Sequence, residues 1–144
     1  MIDRYREFVS GITVCYKYIQ RIKNMEMTEF GLKGIHVSCL FYLYNNPEGL
    51  TAAQLSGLCC EDKAAVSRIV SQLRQRGFIE PGGKKSYREL LKLTAAGREI
   101  ARQMEPVMTQ WVCAGGEGLT EQEREHFYRS LTVIAANLHN KLDD

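Results

Sequence analysis

Between Lys63 and Gly77 the chain carries four cations, Lys63, Arg68, Arg74 and Arg76, and no carboxylate. Val66, Ile69, Val70 and Leu73 recur there at the i, i+3, i+4, i+7 spacing of an amphipathic helix. Asp62 before them has the side chain of an N-cap, and Gly77 stands where a helix end favours a left-handed residue. With the four apolar residues turned to a core, 3.6 residues per turn puts Ala64, Arg68, Ser71 and Gln75 on the opposite side, flanked by Ser67 and Gln72, with Lys63 at the start. Small residues let a helix approach base edges closely, and Ser, Gln and Arg supply donors and acceptors for bases and phosphates. Arg74 and Arg76, in the last turn, are equally suited to complementing the helix dipole.

Such a face also serves as a plain solvated surface, so its neighbours decide between the readings. Upstream, Thr51-Ala52-Ala53-Gln54 is a capping box, with Leu50 and Leu55 placed as a hydrophobic staple, and the helix it opens is short, ending near Leu58 to Cys60. A short helix, a tight turn and a second, cationic helix is the arrangement that lays the second helix in a major groove. Thr51 is then a candidate phosphate contact. Downstream, Phe78-Ile79-Glu80, a turn at Pro81-Gly82-Gly83-Lys84-Lys85, and the apolar-rich Tyr87 to Leu93 predict a hairpin, or wing, with Lys84, Lys85 and Arg88 in or near its tip. Long cations there can reach a phosphate or a minor groove, although lysines at a hairpin tip also serve solubility alone.

The elements that must hold these residues are helical. Tyr5, Phe8, Val9, Ile12, Cys15, Tyr16, Ile19 and Ile22 predict a long amphipathic helix, ended by Gly31 to Gly34. Ile35 to Tyr44 predicts a second helix, stopped at Asn45-Asn46-Pro47-Glu48-Gly49. Thr94 can cap a helix running toward Met108 and Trp111, which Pro106 should kink or bound. A second capping box, Thr120-Glu121-Gln122-Glu123, opens a last helix with Phe127, Leu131, Ile134 and Leu138 on one face. The fold class expected is mainly α, a winged helix-turn-helix with terminal helices, in one domain of 144 residues.

Charge is unevenly placed. From Glu61 to Lys92 eight basic residues stand against four acidic ones, whereas from Glu117 to Asp144 three stand against six. A basic middle suits a polyanion, and the acidic tail suits solvent or a partner. The charged N-terminal run Met1-Ile2-Asp3-Arg4-Tyr5-Arg6 does not resemble a signal peptide or membrane span, so a cytoplasmic protein without membrane association is expected.

Other chemistry finds little support. His36, His126 and His139 are far apart in sequence, without a nucleophile motif, paired carboxylates or a phosphate-binding glycine loop, so catalysis is not expected. Cys15, Cys39, Cys59, Cys60 and Cys113 have no metal-ligand spacing, and no metal or cofactor is expected. Cys15, Cys39 and Cys113 lie inside apolar helical patterns and read as buried small hydrophobes; the vicinal Cys59 and Cys60 also read as packing, though they could meet oxidants or thiol-seeking metals.

Taken in order, Gly49-Leu50-Thr51-Ala52-Ala53-Gln54-Leu55, Asp62-Lys63-Ala64-Ala65-Val66-Ser67-Arg68-Ile69-Val70, Leu73-Arg74-Gln75-Arg76-Gly77-Phe78-Ile79 and Leu93-Thr94-Ala95-Ala96-Gly97 resemble the MarR family of winged-helix regulators. The resemblance implies a homodimer, with dimerisation helices at about 1–33 and 98–144 around a DNA-binding lobe at 34–97, reading a palindromic operator as a regulator, most often a repressor. It places Ser67 and Arg68 at positions that commonly meet DNA. It also implies release by a small aromatic or lipophilic effector, for which His36 and Cys15 are candidate pocket residues. The family's wing usually carries an Asp-Arg pair before its second strand; Gly83-Lys84-Lys85-Ser86-Tyr87-Arg88 stands here instead, leaving Arg88 as the candidate substitute. Two alternatives stay open: a redox sensor of the same fold, since some relatives use a cysteine on the first helix, where Cys15 lies, and a winged helix that binds protein.

Overall fold

Capping chemistry sets the helix starts. The Asp3 carboxylate accepts the Arg6 N–H at 3.0 Å and opens the first helix, α1, Arg4–Met27. The computed structural model describes residues 3–82 and 88–144. A single 3-10 turn, Thr28–Phe30, leads to α2, Gly34–Tyr44. Then come α3, Ala52–Cys59, and α4, Lys63–Gln75, followed by α5, Ala95–Gly115, and α6, Glu121–Asp143. Both expected capping boxes form. Thr51 Oγ1 accepts the Gln54 N–H at 3.1 Å while Gln54 Oε1 accepts the Thr51 N–H at 2.9 Å, and Thr120 with Glu123 repeats the exchange at 3.2 and 2.7 Å.

The chain divides into two compact units, Met1–Met108 and Thr109–Asp144. In the first, the core gathers Met27, Leu32, Val37, Leu40, Leu43, Leu55, Val66, Ile69, Val70, Leu73, Ile79, Leu91, Leu93, Ala101 and Met104, all with less than a tenth of their surface exposed. The four apolar residues predicted to face inward from α4 are among them. Removing such side chains from water is the main force that sets α2, α3 and α4 against one another.

Three stretches of extended chain meet at the edge of this core. Leu50 bridges Leu91 and Ile79 bridges Leu93, both antiparallel, and the Glu80 N–H donates to the Lys92 carbonyl at 2.9 Å. Among the described residues these remain single bridges rather than continuous strands. The expected turn with Lys84 and Lys85, and the returning segment's start at Tyr87, lie outside the described residues.

The Thr94-to-Gly97 segment locks these bridges to α5. Thr94 Oγ1 accepts the Gly97 N–H at 3.0 Å and donates to the Gly77 carbonyl at 2.6 Å, while the Thr94 N–H donates to the Phe78 carbonyl at 3.0 Å. The backbone of α5 passes so close to Phe78 that a Cβ at position 97 would overlap the Phe78 carbonyl oxygen. Only glycine fits there.

Two expectations need correction. Pro106 does not end α5, which runs on to Gly115; a proline removes one backbone donor, and the turns on either side supply the remaining bonds. Cys15, Cys60 and Cys113 are exposed and Cys59 is partly so, whereas Cys39 is buried as expected. For Cys15 the reason lies in α1: along its whole length only Met27 is buried, and Phe8, Val9, Ile12 and Ile19 are 38–48% exposed. Its apolar stripe is real but uncovered within one chain.

In the second unit the Arg124 guanidinium donates to the Gly116 carbonyl at 2.7 Å, fixing the turn before α6. Nothing on α6 is buried; Leu131 and Ile134 are half-covered, and Phe127 and Leu138 are 50% and 53% exposed. No helix among the described residues is long and apolar enough to cross a membrane.

Candidate nucleic-acid interface

Three residues separate the end of α3 from the start of α4, and each is fixed. Cys60 takes the left-handed conformation, φ 54°, and its N–H returns to the Gly57 carbonyl at 3.3 Å. Glu61 is held at both backbone groups, its N–H by the Ser56 carbonyl at 3.2 Å and its carbonyl by the buried Ser56 hydroxyl at 2.5 Å. Asp62 Oδ1 accepts the Ala65 N–H at 2.7 Å and opens α4. A short helix, a rigid turn and a longer helix result.

Lys63, Ala64, Ser67, Arg68, Ser71, Gln72 and Gln75 are all exposed along α4, so the structure gathers on one helix the residues that the periodicity placed there. From Ala64 to Gln75 the face runs about 16 Å, at 1.5 Å rise per residue, which suits a major groove about 12 Å wide. Its N-terminal half presents Ala64 and Ser67, short side chains that leave the backbone near whatever docks.

Arg74 and Arg76 are otherwise engaged. Arg74 donates to Glu89 at 2.9 Å and to the Glu80 carbonyl at 3.0 Å, tying α4 to the extended segments. Arg76 donates to the Gly31 carbonyl at 3.1 Å and lies over the Phe78 ring at 5.0 Å. These arginines hold α4 at its angle, a role neither the dipole reading nor composition anticipated. Arg88 is exposed and engaged, and Thr51 gives its backbone N–H and a lone pair of its hydroxyl oxygen to its cap, an exchange in which the hydroxyl proton takes no part.

One polar contact joins the outward face to the interior. His36, only 6% exposed, accepts the Lys33 N–H on Nδ1 at 2.8 Å, so Nε2 carries the ring's proton and donates it to Gln72 Oε1, also at 2.8 Å. Residues 36 and 72 share no sequence signal of this link. Cys15, the other residue assigned to an effector pocket, is exposed on α1, in a different setting from the buried His36.

A sequence profile of the MarR family matches residues 30–85. No curated protein matches the chain closely enough to count as a relative. Among solved structures, a MarR-family transcriptional regulator from Silicibacter pomeroyi superposes with a TM-score of 0.79 at 24% identity, covering 88% of this chain and 86% of that one. A MarR transcriptional regulator from Methanosarcina mazei reaches 0.85 at 19% identity, covering 97% and 94%. The complex of Staphylococcus aureus MepR with DNA reaches 0.77 at 18% identity, covering 90% and 96%. The matched segment runs from the turn before α2 through α3 and α4 to the bridged segments, the same stretch that builds the exposed face described above, and over that stretch the chain is similar to the MarR family.

Proposed function

We propose that this chain is a sequence-specific duplex-DNA-binding regulator, acting as a homodimeric repressor. The observation that carries the reading is the exposed, carboxylate-free face of α4 behind a short capped helix and a rigid turn. Ser67, Arg68, Ser71 and Gln72 read bases, with Lys63, Ala64 and Gln75 completing the docked face. Thr51, Arg88 and the wing residues Lys84 and Lys85 carry phosphate contacts. The bridges at Ile79 and Leu93 support a wing at this place in the chain.

The dimer is favoured by uncovered apolar surface. Phe8, Val9, Ile12 and Ile19 on α1, and Phe127 and Leu138 on α6, are exposed to a degree that a lone protomer rarely tolerates on so many large side chains. A second copy of the chain supplies the same surface and covers it isologously. Two α4 helices about 34 Å apart then meet successive major grooves of a palindrome. Release by a small aromatic or lipophilic effector requires that the effector bind the DNA-competent and incompetent arrangements with different affinity.

Fluorescence anisotropy against the intergenic DNA beside the chain's own coding sequence, with a random duplex as control, tests this at two salt concentrations. About six phosphate contacts give a slope of log K on log salt near −5. Sequence preference with such a slope is the expected result. Binding without preference, or a flat salt response, refutes the reading and points to a protein partner instead.

A further inference from the structure

Two thiols from different helices meet beside a half-buried cation. Sγ of Cys39, in α2, and Sγ of Cys59, the last residue of α3, are 3.8 Å apart, and both are free thiols. Cys39 is completely buried and Cys59 partly open to solvent. Lys23 of α1 donates to the Ser38 hydroxyl at 3.1 Å, one residue from Cys39. The DNA-binding reading uses none of these groups.

We propose that Cys39 and Cys59 form a peroxide-reactive dithiol, with Cys59 the attacking thiol and Cys39 the resolving one, closing to a disulfide that ties α2 to the end of α3. The sulfurs start near van der Waals contact, and the bond needs about 2.05 Å, so closure shortens the gap by roughly 1.8 Å.

The environment assigns the roles. The hydrogen bond from Cys39 holds the Cys59 thiol below its ordinary range, with the Lys23 ammonium helping and partial burial and the Glu61 carboxylate opposing. The same hydrogen bond and burial push the Cys39 thiol up. Burial raises the nearby Tyr42 phenol, with Cys59 and Cys60 adding to that, so it stays protonated beside the pair. The thiolate is the nucleophile, and the sulfur that is both more ionised and more open is Cys59.

The chemistry balances with a hydroperoxide as oxidant. The Cys59 thiolate attacks the terminal peroxide oxygen, the O–O bond breaks, and the alkoxide leaves and takes a proton to become an alcohol, or water from hydrogen peroxide. Cys59 is left as a sulfenic acid. The Cys39 thiol loses its proton as its sulfur attacks Cys59; the departing hydroxide takes up that proton as water. Two thiols lose two electrons, and the peroxide gains them.

The consequence reaches the DNA face through three residues. Cys59 immediately precedes the left-handed Cys60, and Asp62, which caps α4, lies three positions on. Drawing Cys59 toward α2 displaces the turn that aims α4, which lowers DNA affinity; this step rests on the DNA-binding reading, while the disulfide does not.

The test treats the reduced full chain with one equivalent of hydrogen peroxide per protomer, then alkylates remaining thiols with N-ethylmaleimide. Cleavage after Glu48 and Glu61 leaves Cys39 and Cys59 on separate peptides. The Cys60→Ser variant, altered at an exposed thiol, identifies which vicinal cysteine is bonded. Expected are a loss of two free thiols, a Cys39–Cys59 linked peptide that persists in Cys60→Ser, and, in Cys39→Ser, a Cys59 sulfenic acid trapped by dimedone. Fragmentation of the linked wild-type peptide that places the bond at Cys60, a link through Cys15 or Cys113, or oxidation that shows no preference for Cys59, overturns the dithiol whatever the variants' folding. Anisotropy of reduced and oxidised protein on one duplex then reads the second step, with at least fivefold weakening expected. An unchanged affinity overturns the coupling. If the reduced protein binds no duplex at all, the DNA-binding reading fails while the peptide map still decides the dithiol.

Discussion

Replacing His36 with phenylalanine keeps the ring in its buried site but deletes both nitrogens, and with them the bonds to Lys33 and Gln72. Both partners are exposed residues, so water can take up the released groups, and each bond is worth the modest net value of about 0.5–1.5 kcal/mol rather than a full desolvation penalty. The expected destabilisation is about 1–2 kcal/mol, measured by urea unfolding at one fixed protomer concentration. In a cycle with Gln72→Ala the His36–Gln72 coupling should be about 0.5–1 kcal/mol. A functional effect follows. One lone pair of Gln72 Oε1 is taken by His36, which fixes the amide from the inside and disfavours the paired acceptor–donor contact with adenine without blocking the second lone pair. His36→Phe frees the oxygen, and preference for adenine at the position under Gln72 should rise in a base-by-base anisotropy series. A coupling below about 0.3 kcal/mol refutes the hydrogen bond. A clear coupling with no change in base preference refutes the argument from the occupied oxygen.

Arg68→Ala should weaken operator binding by about 1–3 kcal/mol and relax discrimination at one base pair, read from the same series. Arg74→Ala removes the tie to the largely covered Glu89 and to the carbonyl of the exposed Glu80; it should cost about 1 kcal/mol in urea unfolding and weaken all duplexes alike, whereas an altered base preference would mean that Arg74 reads DNA directly. Gly97→Ala forces the Phe78 carbonyl aside and should destabilise by roughly 2 kcal/mol or more, seen as a lower thermal midpoint; an unchanged midpoint would mean that the close approach relaxes at no cost. Ile12→Asp places a charge in the α1 stripe and should shift sedimentation toward monomer at low micromolar concentration, and an unchanged dimer would remove this face from the interface.

The exposed face of α4 was legible in the sequence wherever local periodicity or capping governs. The inward set on α4 and the outward set opposite it follow from a 3.6-residue repeat, and the starts of α3, α4 and α6 from their caps. What stayed hidden are contacts between residues distant in sequence. No repeat links His36 to Gln72 or Cys39 to Cys59, and nothing in the charge of Arg74 told that its partner would be Glu89. Cys15 and Cys113 misled for a related reason. An apolar pattern reports that a face is to be covered, but not whether the same chain covers it. Pro106 was read as a kink or a boundary; it does not bound α5, because it removes one hydrogen bond while a helix of 21 residues has many others.

The division of labour along α4 bears on how such a protein changes its target over generations. Val66, Ile69, Val70 and Leu73 are committed to the core and Arg74 and Arg76 to anchoring the helix, whereas Ala64, Ser67, Arg68, Ser71 and Gln75 are all exposed, and exchanges at such positions usually alter stability by no more than about 0.5 kcal/mol. If the proposed DNA-binding function holds, a lineage can drift to a new operator by substituting those five positions one at a time, without crossing a valley of unfolded intermediates. Gln72 is the exception on that face. Because His36 holds it, a change there costs the scaffold as well as the message, and it should be the last of the reading residues to be rewritten.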